Sequence, residues 1–223
     1  MIWMCYCVDK SVFSMIGPGV QYDSSMVDDV IPNMMTVVEN YFLIDIPSAE
    51  DIHDAIFAMD ATSAPGLDGF FGKFYQHCWE IVGGDVVHAV QDFFRTRTIF
   101  PRLSSSFIVL LPKLRDSISI DQYRPIVLSN FLFKISSKIS ADRLARIAAM
   151  IVCPYQFGFI RDRHIEDCIA LAVDCVNVLH KKCHGGNLAM KIDIHKAFDT
   201  LDWYFLRRVL QAFWVLFGFR GLD

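Results

Sequence analysis

No window of the sequence reaches the roughly 18 uninterrupted apolar residues that a membrane-spanning helix needs, so no membrane association is expected. The opening segment MIWMCYCVDK has no basic residue ahead of its apolar stretch and no small-residue cleavage site, so it does not read as a signal peptide. Internal repeats and low-complexity tracts are absent. The seven cysteines are an odd number, and no C-x-x-C pair occurs among them. That argues against a disulfide framework and for a reducing, intracellular compartment, with nucleus and cytoplasm both open. His180, Cys183 and His184 in HKKCH have metal-like spacing, but zinc needs about four ligands and no further partners suggest themselves, so a solvated helix end is the simpler reading. Basic residues are scarce in the first part of the chain: residues 1–94 hold 2 Lys+Arg against 14 Asp+Glu.

What is present is hydrophobic substance and an uneven distribution of charge. Hydrophobic residues make up 53% of the chain and charged residues 21%, enough to bury a core and to exclude wholesale disorder. The 19 phenylalanines are many for 223 residues and suit a piece of a larger assembly whose faces are covered elsewhere. The net charge of −4 conceals a basic block, since residues 95–146 hold 10 Lys+Arg against 3 Asp+Glu. Such a block attracts phosphate backbones, and it also describes a solvated helical face. Composition alone leaves both readings open.

Helical and strand patterns interleave, which predicts an α+β or α/β fold. The chain is weakly patterned to about residue 46. A helix then opens at Ser48, a candidate N-cap, with Glu50 and Asp51 in the first turn and Ile52, Ala55, Ile56 and Met59 at helical spacing. SAPGLDG (63–69) ends it. An amphipathic stretch covers about 70–97, with a possible interruption at Gly83-Gly84. FIVLLP (107–112) reads as a buried strand, and RPIVL (124–128) as a second that pairs with it in a hairpin, with Arg124 near the base. Residues 131–151 form a helix with Leu132, Ile135, Ile139, Leu144, Ile147 and Ile151 on one face, and Lys134, Lys138, Arg143 and Arg146 largely off it. Further helices are expected over 165–182 and 203–217, with a strand at 188–194 between them.

The densest chemistry lies in KIDIHKAFDTLDW (191–203). A strand delivers Asp193 to its carboxyl end, where a carboxylate is well placed to hold a divalent metal, and the backbone carbonyl near Ile194 could face the same ion. An aspartate ending a strand is also often a plain cap.

This segment resembles motif A of reverse transcriptases of the non-LTR (LINE-type) retrotransposons, in which the catalytic aspartate is followed four and five residues later by alanine and an aromatic, here Ala197 and Phe198. Four other segments resemble the same family in the same order: SAPGLDGFFGKFY (63–75), IVLLPK (108–113), QYRPIVLSNFLFKISSKISADRL (122–144) and QFGFIRDRHIEDCIALA (156–172). The flavour is closest to plant LINE elements. The resemblance implies the fingers and the beginning of the palm of a right-hand polymerase, α+β and incomplete, with an N-terminal helical extension over 1–60, fingers over 61–187 and the start of the palm over 188–223.

The same resemblance implies roles. Asp193 would be catalytic and, with Ile194, would bind Mg²⁺. Lys113, Arg124 and Phe198 would bind the deoxynucleoside triphosphate, Phe198 by excluding a ribose 2′-hydroxyl. Arg161 and Arg163 would touch the template backbone. The implied partners are an RNA template, a DNA primer and deoxynucleoside triphosphates. The family also needs a hairpin with two adjacent aspartates, which these residues do not supply, so the isolated chain is expected not to polymerise DNA. A non-catalytic nucleic-acid-binding remnant, or the functionless product of a decayed element, is the alternative.

Overall fold

The computed structural model describes residues 31, 34–98, 101–181, 187 and 202–215. Among these, the chain is mostly helical with one two-stranded antiparallel sheet, an α+β arrangement. It divides into two compact units, one built on residues 40–142 and the other on 143–215 together with residues 34–39.

Helix α1 (Val37–Ile44) lies inside the weakly patterned lead, within the expected N-terminal helical extension. Its start is a capping arrangement: the Glu39 carboxylate accepts from the Thr36 amide at 2.7 Å and from the Thr36 hydroxyl at 2.8 Å. Those bonds hold the Glu39 carboxyl below the ordinary glutamate range.

In the first unit, α2 (Ala49–Phe57) starts at Ser48 as expected. The Ser48 hydroxyl accepts from the Asp51 amide at 3.0 Å, and the Asp51 carboxylate accepts from the Ser48 amide at 2.9 Å. The amphipathic stretch after SAPGLDG forms α3 (Gly72–His77) and α4 (Trp79–Thr96). The break falls at Cys78 and not at Gly83-Gly84. The helix runs through both glycines, and Gly83 leaves room for the Trp79 ring, which a β-carbon there would meet at 2.9 Å.

Helices α2, α3 and α4 bury Ile52, Ala55, Ile56, Tyr75, Val86 and Val90 against Phe131, Ile135 and Ile139 of α6 (Phe131–Ile151). Each large apolar side chain in that cluster contributes roughly 1.5–3 kcal/mol relative to exposure. Side-chain amides tie the elements together: Gln76 Nε2 donates to the carbonyls of Ile56 (2.9 Å) and Met59 (3.1 Å), and Gln91 Nε2 to that of Pro47 (3.0 Å).

Tyr75 stacks on Phe131 with ring centroids 5.1 Å apart. Burial, helped by the negative charge of Asp68, pushes its phenol up to about 12 from 10.0. A raised pKa means the folded state holds its proton where the unfolded state loses it. The stability tied to this group is therefore complete below about pH 10 and lost as pH rises towards about 12. Tyr75→Phe is expected to melt close to the wild type at pH 8 and above it at pH 11. Equal loss in both proteins between those pH values, measured by circular dichroism, would refute this.

A short α5 (Pro101–Ser104) leads into β1 (Ser106–Pro112), which pairs antiparallel with β2 (Tyr123–Ser129). The hairpin is as expected, but β1 is not buried. Phe107, Ile108, Val109, Leu110 and Leu111 are all exposed, because among the described residues no further layer covers either face of the ribbon. Arg143 departs from the helical pattern in the other direction, being buried rather than set off the apolar face.

In the second unit, a loop follows the end of α6 and leads to α7 (Ile165–Val178), which is shorter than the expected 165–182 and exposed along its whole length. Helix α8 (Trp203–Ala212) is capped by the Asp202 carboxylate, which accepts from the Phe205 amide at 2.8 Å. The strand expected at 188–194 and residues 183 and 184 of HKKCH lie outside the described residues. No helix among the described residues is long and apolar enough to cross a membrane.

Candidate nucleotide and template interface

The ladder of the β1–β2 hairpin determines what shares a face. Arg124 is opposite Leu111, Ile126 opposite Val109 and Leu128 opposite Phe107, so these six residues lie on one side of the ribbon. The pairing continues one step beyond the strands, where the Lys113 amide donates to the Gln122 carbonyl at 2.8 Å. Alternation therefore sets Lys113 on the same side as Arg124, diagonally across the ribbon. Both residues are exposed. The Lys113 ammonium donates to the Asp121 carbonyl at 2.8 Å, which uses one of its three hydrogens. The Arg124 guanidinium has no hydrogen bond or ion pair among the described residues.

The connecting loop is braced from within. Gln122 Oε1 accepts from the Ile118 amide at 2.7 Å, the Ser117 hydroxyl donates to the Leu114 carbonyl at 2.9 Å, and the Tyr123 hydroxyl donates to the Ser117 carbonyl at 3.2 Å. A basic pair at the loop end of a braced hairpin can receive an anion without first ordering the loop.

At the other end of β2, the SAPGLDG loop lies against the junction with α6. The Asp68 amide donates to Asn130 Oδ1 at 3.2 Å, and the Lys134 ammonium donates to the carbonyl of Ala64 at 2.6 Å and to the hydroxyl of Ser63 at 3.3 Å. Partial burial holds the Lys134 ammonium below its ordinary range, although the Asp68 charge works against that. In the sequence Lys134 is one more member of a basic block. In the fold its charge is directed inward, as an anchor for this loop.

The loop after α6 treats its two arginines differently. The Arg163 guanidinium donates to four carbonyls, those of Cys153 (2.7 Å), Gln156 (2.8 Å), Ala149 (3.0 Å) and Val152 (3.2 Å). Arg161 is 71% exposed, and its nearest acidic neighbour is the adjacent Asp162 at 3.9 Å. Of the two, Arg161 is the one presented to solvent. Sequence reading had no means of separating them, since the carbonyls that receive Arg163 are scattered over residues 149–156.

Asp193, Ile194 and Phe198 lie outside the described residues. Among the described residues, no group of three or more His, Cys, Asp or Glu side chains could hold a metal ion.

Residues 112–216 match the family described as reverse transcriptase (RNA-dependent DNA polymerase), a range that includes Lys113, Arg124, Arg161, Arg163, Asp193, Ile194 and Phe198. The chain is also 29% identical over 165 residues to the transposon TX1 uncharacterized 149 kDa protein of Xenopus laevis. That alignment takes in 74% of this chain and 12% of the relative, so the chain corresponds to a small part of the relative's length. Over its second half, then, the chain is similar to a reverse transcriptase domain, and it is distantly related to a transposon-encoded protein.

Proposed function

We propose that the chain is part of the RNA-directed DNA polymerase of a LINE-type retrotransposon, contributing fingers and the start of the palm. The observation that carries this reading is the loop end of the β1–β2 hairpin, where Lys113 and Arg124 share one face inside the stretch similar to reverse transcriptases. Arg124 would grip the triphosphate of the incoming deoxynucleotide with a bidentate fork, and Lys113 would add a point charge beside it. Arg161 would lie on the template backbone, with Arg163 acting through the loop it holds. Asp193, with the Ile194 carbonyl, would hold Mg²⁺, and Phe198 would discriminate against ribose. Bound Mg²⁺ would supply polarisation of the phosphate and stabilisation of the leaving pyrophosphate. Polymerisation would further require the paired aspartates that the family carries on a separate hairpin.

Binding, rather than synthesis, is accordingly the test suited to these 223 residues. In titrations with a deoxynucleoside triphosphate, Arg124→Ala is expected to weaken binding about tenfold or more, the scale of charge-assisted hydrogen bonds, and Lys113→Ala by less. Affinity for an RNA–DNA hybrid should change little with either substitution. Unchanged triphosphate affinity in Arg124→Ala would remove the hairpin from the reading. Salt-sensitive RNA binding without any triphosphate binding would instead favour a non-catalytic nucleic-acid-binding remnant.

A further inference from the structure

The loop between α6 and α7 carries a feature that the two arginines do not account for. Phe159 is 95% exposed, and its backbone sits in the left-handed region with φ 65°. An aromatic residue is costly there twice over, since a β-carbon disfavours that torsion and the ring gains nothing from burial. Phe159 makes no ring contact among the described residues. A loop free to relax would fold the ring down or adopt a different torsion. This loop is held by the four Arg163 bonds to the carbonyls of Ala149, Val152, Cys153 and Gln156. Asp162, next to Arg163, is also left-handed, with φ 61°. Tyr155 is a second exposed ring in the same loop, and Arg161, two residues beyond Phe159, is exposed and cationic.

We infer that Phe159 is a stacking platform for an unpaired nucleobase, with Arg161 on the neighbouring phosphate. This rests on the reading of the chain as a nucleic-acid-handling polymerase fragment and adds to it a residue with a specific task. The physical case is complementarity. A nucleobase is flat and apolar on its faces and charged at its backbone, and every base has such a face, so an exposed ring beside a guanidinium binds single strands without reading sequence. A folded partner protein would be drawn to the exposed apolar side chains of α7, such as Ile165, Ile169, Val173 and Val176, and would gain nothing from a ring set beside a cation. Duplex bases are already stacked on each other and present no free face. The platform therefore discriminates in favour of the unpaired strand.

The torsion provides a diagnostic substitution. Asparagine tolerates the left-handed region far better than phenylalanine, so Phe159→Asn relieves the backbone while deleting the ring. The test uses the whole 223-residue chain with two probes, an unstructured RNA oligonucleotide carrying a 2-aminopurine and a blunt RNA–DNA hybrid. The expected result is a thermal midpoint equal to or above that of the wild type, about tenfold weaker binding of the unpaired RNA, loss of the 2-aminopurine quench, and unchanged affinity for the hybrid. Phe159→Trp should keep both the affinity and the quench. Wild-type affinity for the unpaired RNA in Phe159→Asn, or an equal loss on both probes, would overturn the platform while leaving the polymerase reading intact. Failure of the wild-type chain to bind either probe would overturn that reading and the platform with it.

Discussion

Replacing Gly66 by alanine is expected to destabilise the first unit by about 2–3 kcal/mol, the upper part of the range for forcing extra volume into a packed site. A β-carbon at this position would run into the amide nitrogen and Oδ1 of Asn130 and the carbonyl carbon of Ser129. Two of those three atoms are backbone, at the join between β2 and α6, and cannot rotate away. The loop could back off only by giving up the Asp68–Asn130 bond and the Lys134 bonds to Ala64 and Ser63. The thermal midpoint should fall by roughly 10 °C, given the usual entropy of unfolding for a domain of this size. Gly69→Ala is the matched control. Gly69 needs its glycine for a different reason, a φ of +73° with open space around it, so the cost there should be about 1 kcal/mol. Equal midpoints for the two variants would mean that the loop does not lie tightly on the β2–α6 junction. Because β2 runs from that junction to the hairpin end, Gly66→Ala should also lower triphosphate affinity. Gly69→Ala should not.

Local chemistry explains which parts of this arrangement could be read from the sequence. The start of α2 was legible because Ser48 and Asp51 form a capping box within four residues, and the hairpin because two β-rich runs flank a polar loop. Helix α1 falls within the expected N-terminal helical extension, but its bounds were not legible although Thr36 and Glu39 carry the same kind of cap, since its apolar positions lack a clear helical stripe. The Gly83-Gly84 pair looked like a break, but glycine inside a helix costs only about 1 kcal/mol apiece, and Gly83 leaves room for the Trp79 ring. Exposure of β1 was not legible at all. FIVLLP has the composition of a buried strand, and whether a layer covers it is a property of the rest of the assembly. Among the candidate site residues, Lys113 and Arg124 are brought together by the family resemblance, and the register that sets them on one face comes from the fold. The different fates of Arg161, Arg163 and Lys134 could not be read from the sequence, because Arg163 and Lys134 are held by carbonyls whose positions the fold alone determines, and Arg161 is left to solvent.

Arg163→Met should open the loop after α6, at a cost of about 3 kcal/mol within the second unit, the lower end for several hydrogen bonds from a charged donor that remain partly open to water. Helix α6 ends at Ile151 with no basic residue in its last turn, so the negative end of its dipole has no cation of its own. Arg163 supplies that cation from twelve residues further on, reaching the carbonyls of Ala149 and Val152 with one nitrogen and those of Cys153 and Gln156 with the other. Methionine keeps the length of the stem and removes every donor. The amides of residues 152–164 should then lose hydrogen-exchange protection while those of the first unit keep theirs, since the two units are separate compact bodies. Arg163→Lys retains the charge but not the planar fork, so it should recover only part of the loss. Arg161→Ala should leave the exchange pattern unchanged and weaken RNA binding directly. If Arg163→Met preserved the exchange pattern and reduced RNA affinity as Arg161→Ala does, Arg163 would be a template contact and not a brace. A brace that fails should also release the Phe159 torsion, so Arg163→Met is expected to weaken binding of unpaired RNA more than binding of the hybrid, by way of a ring that it does not touch.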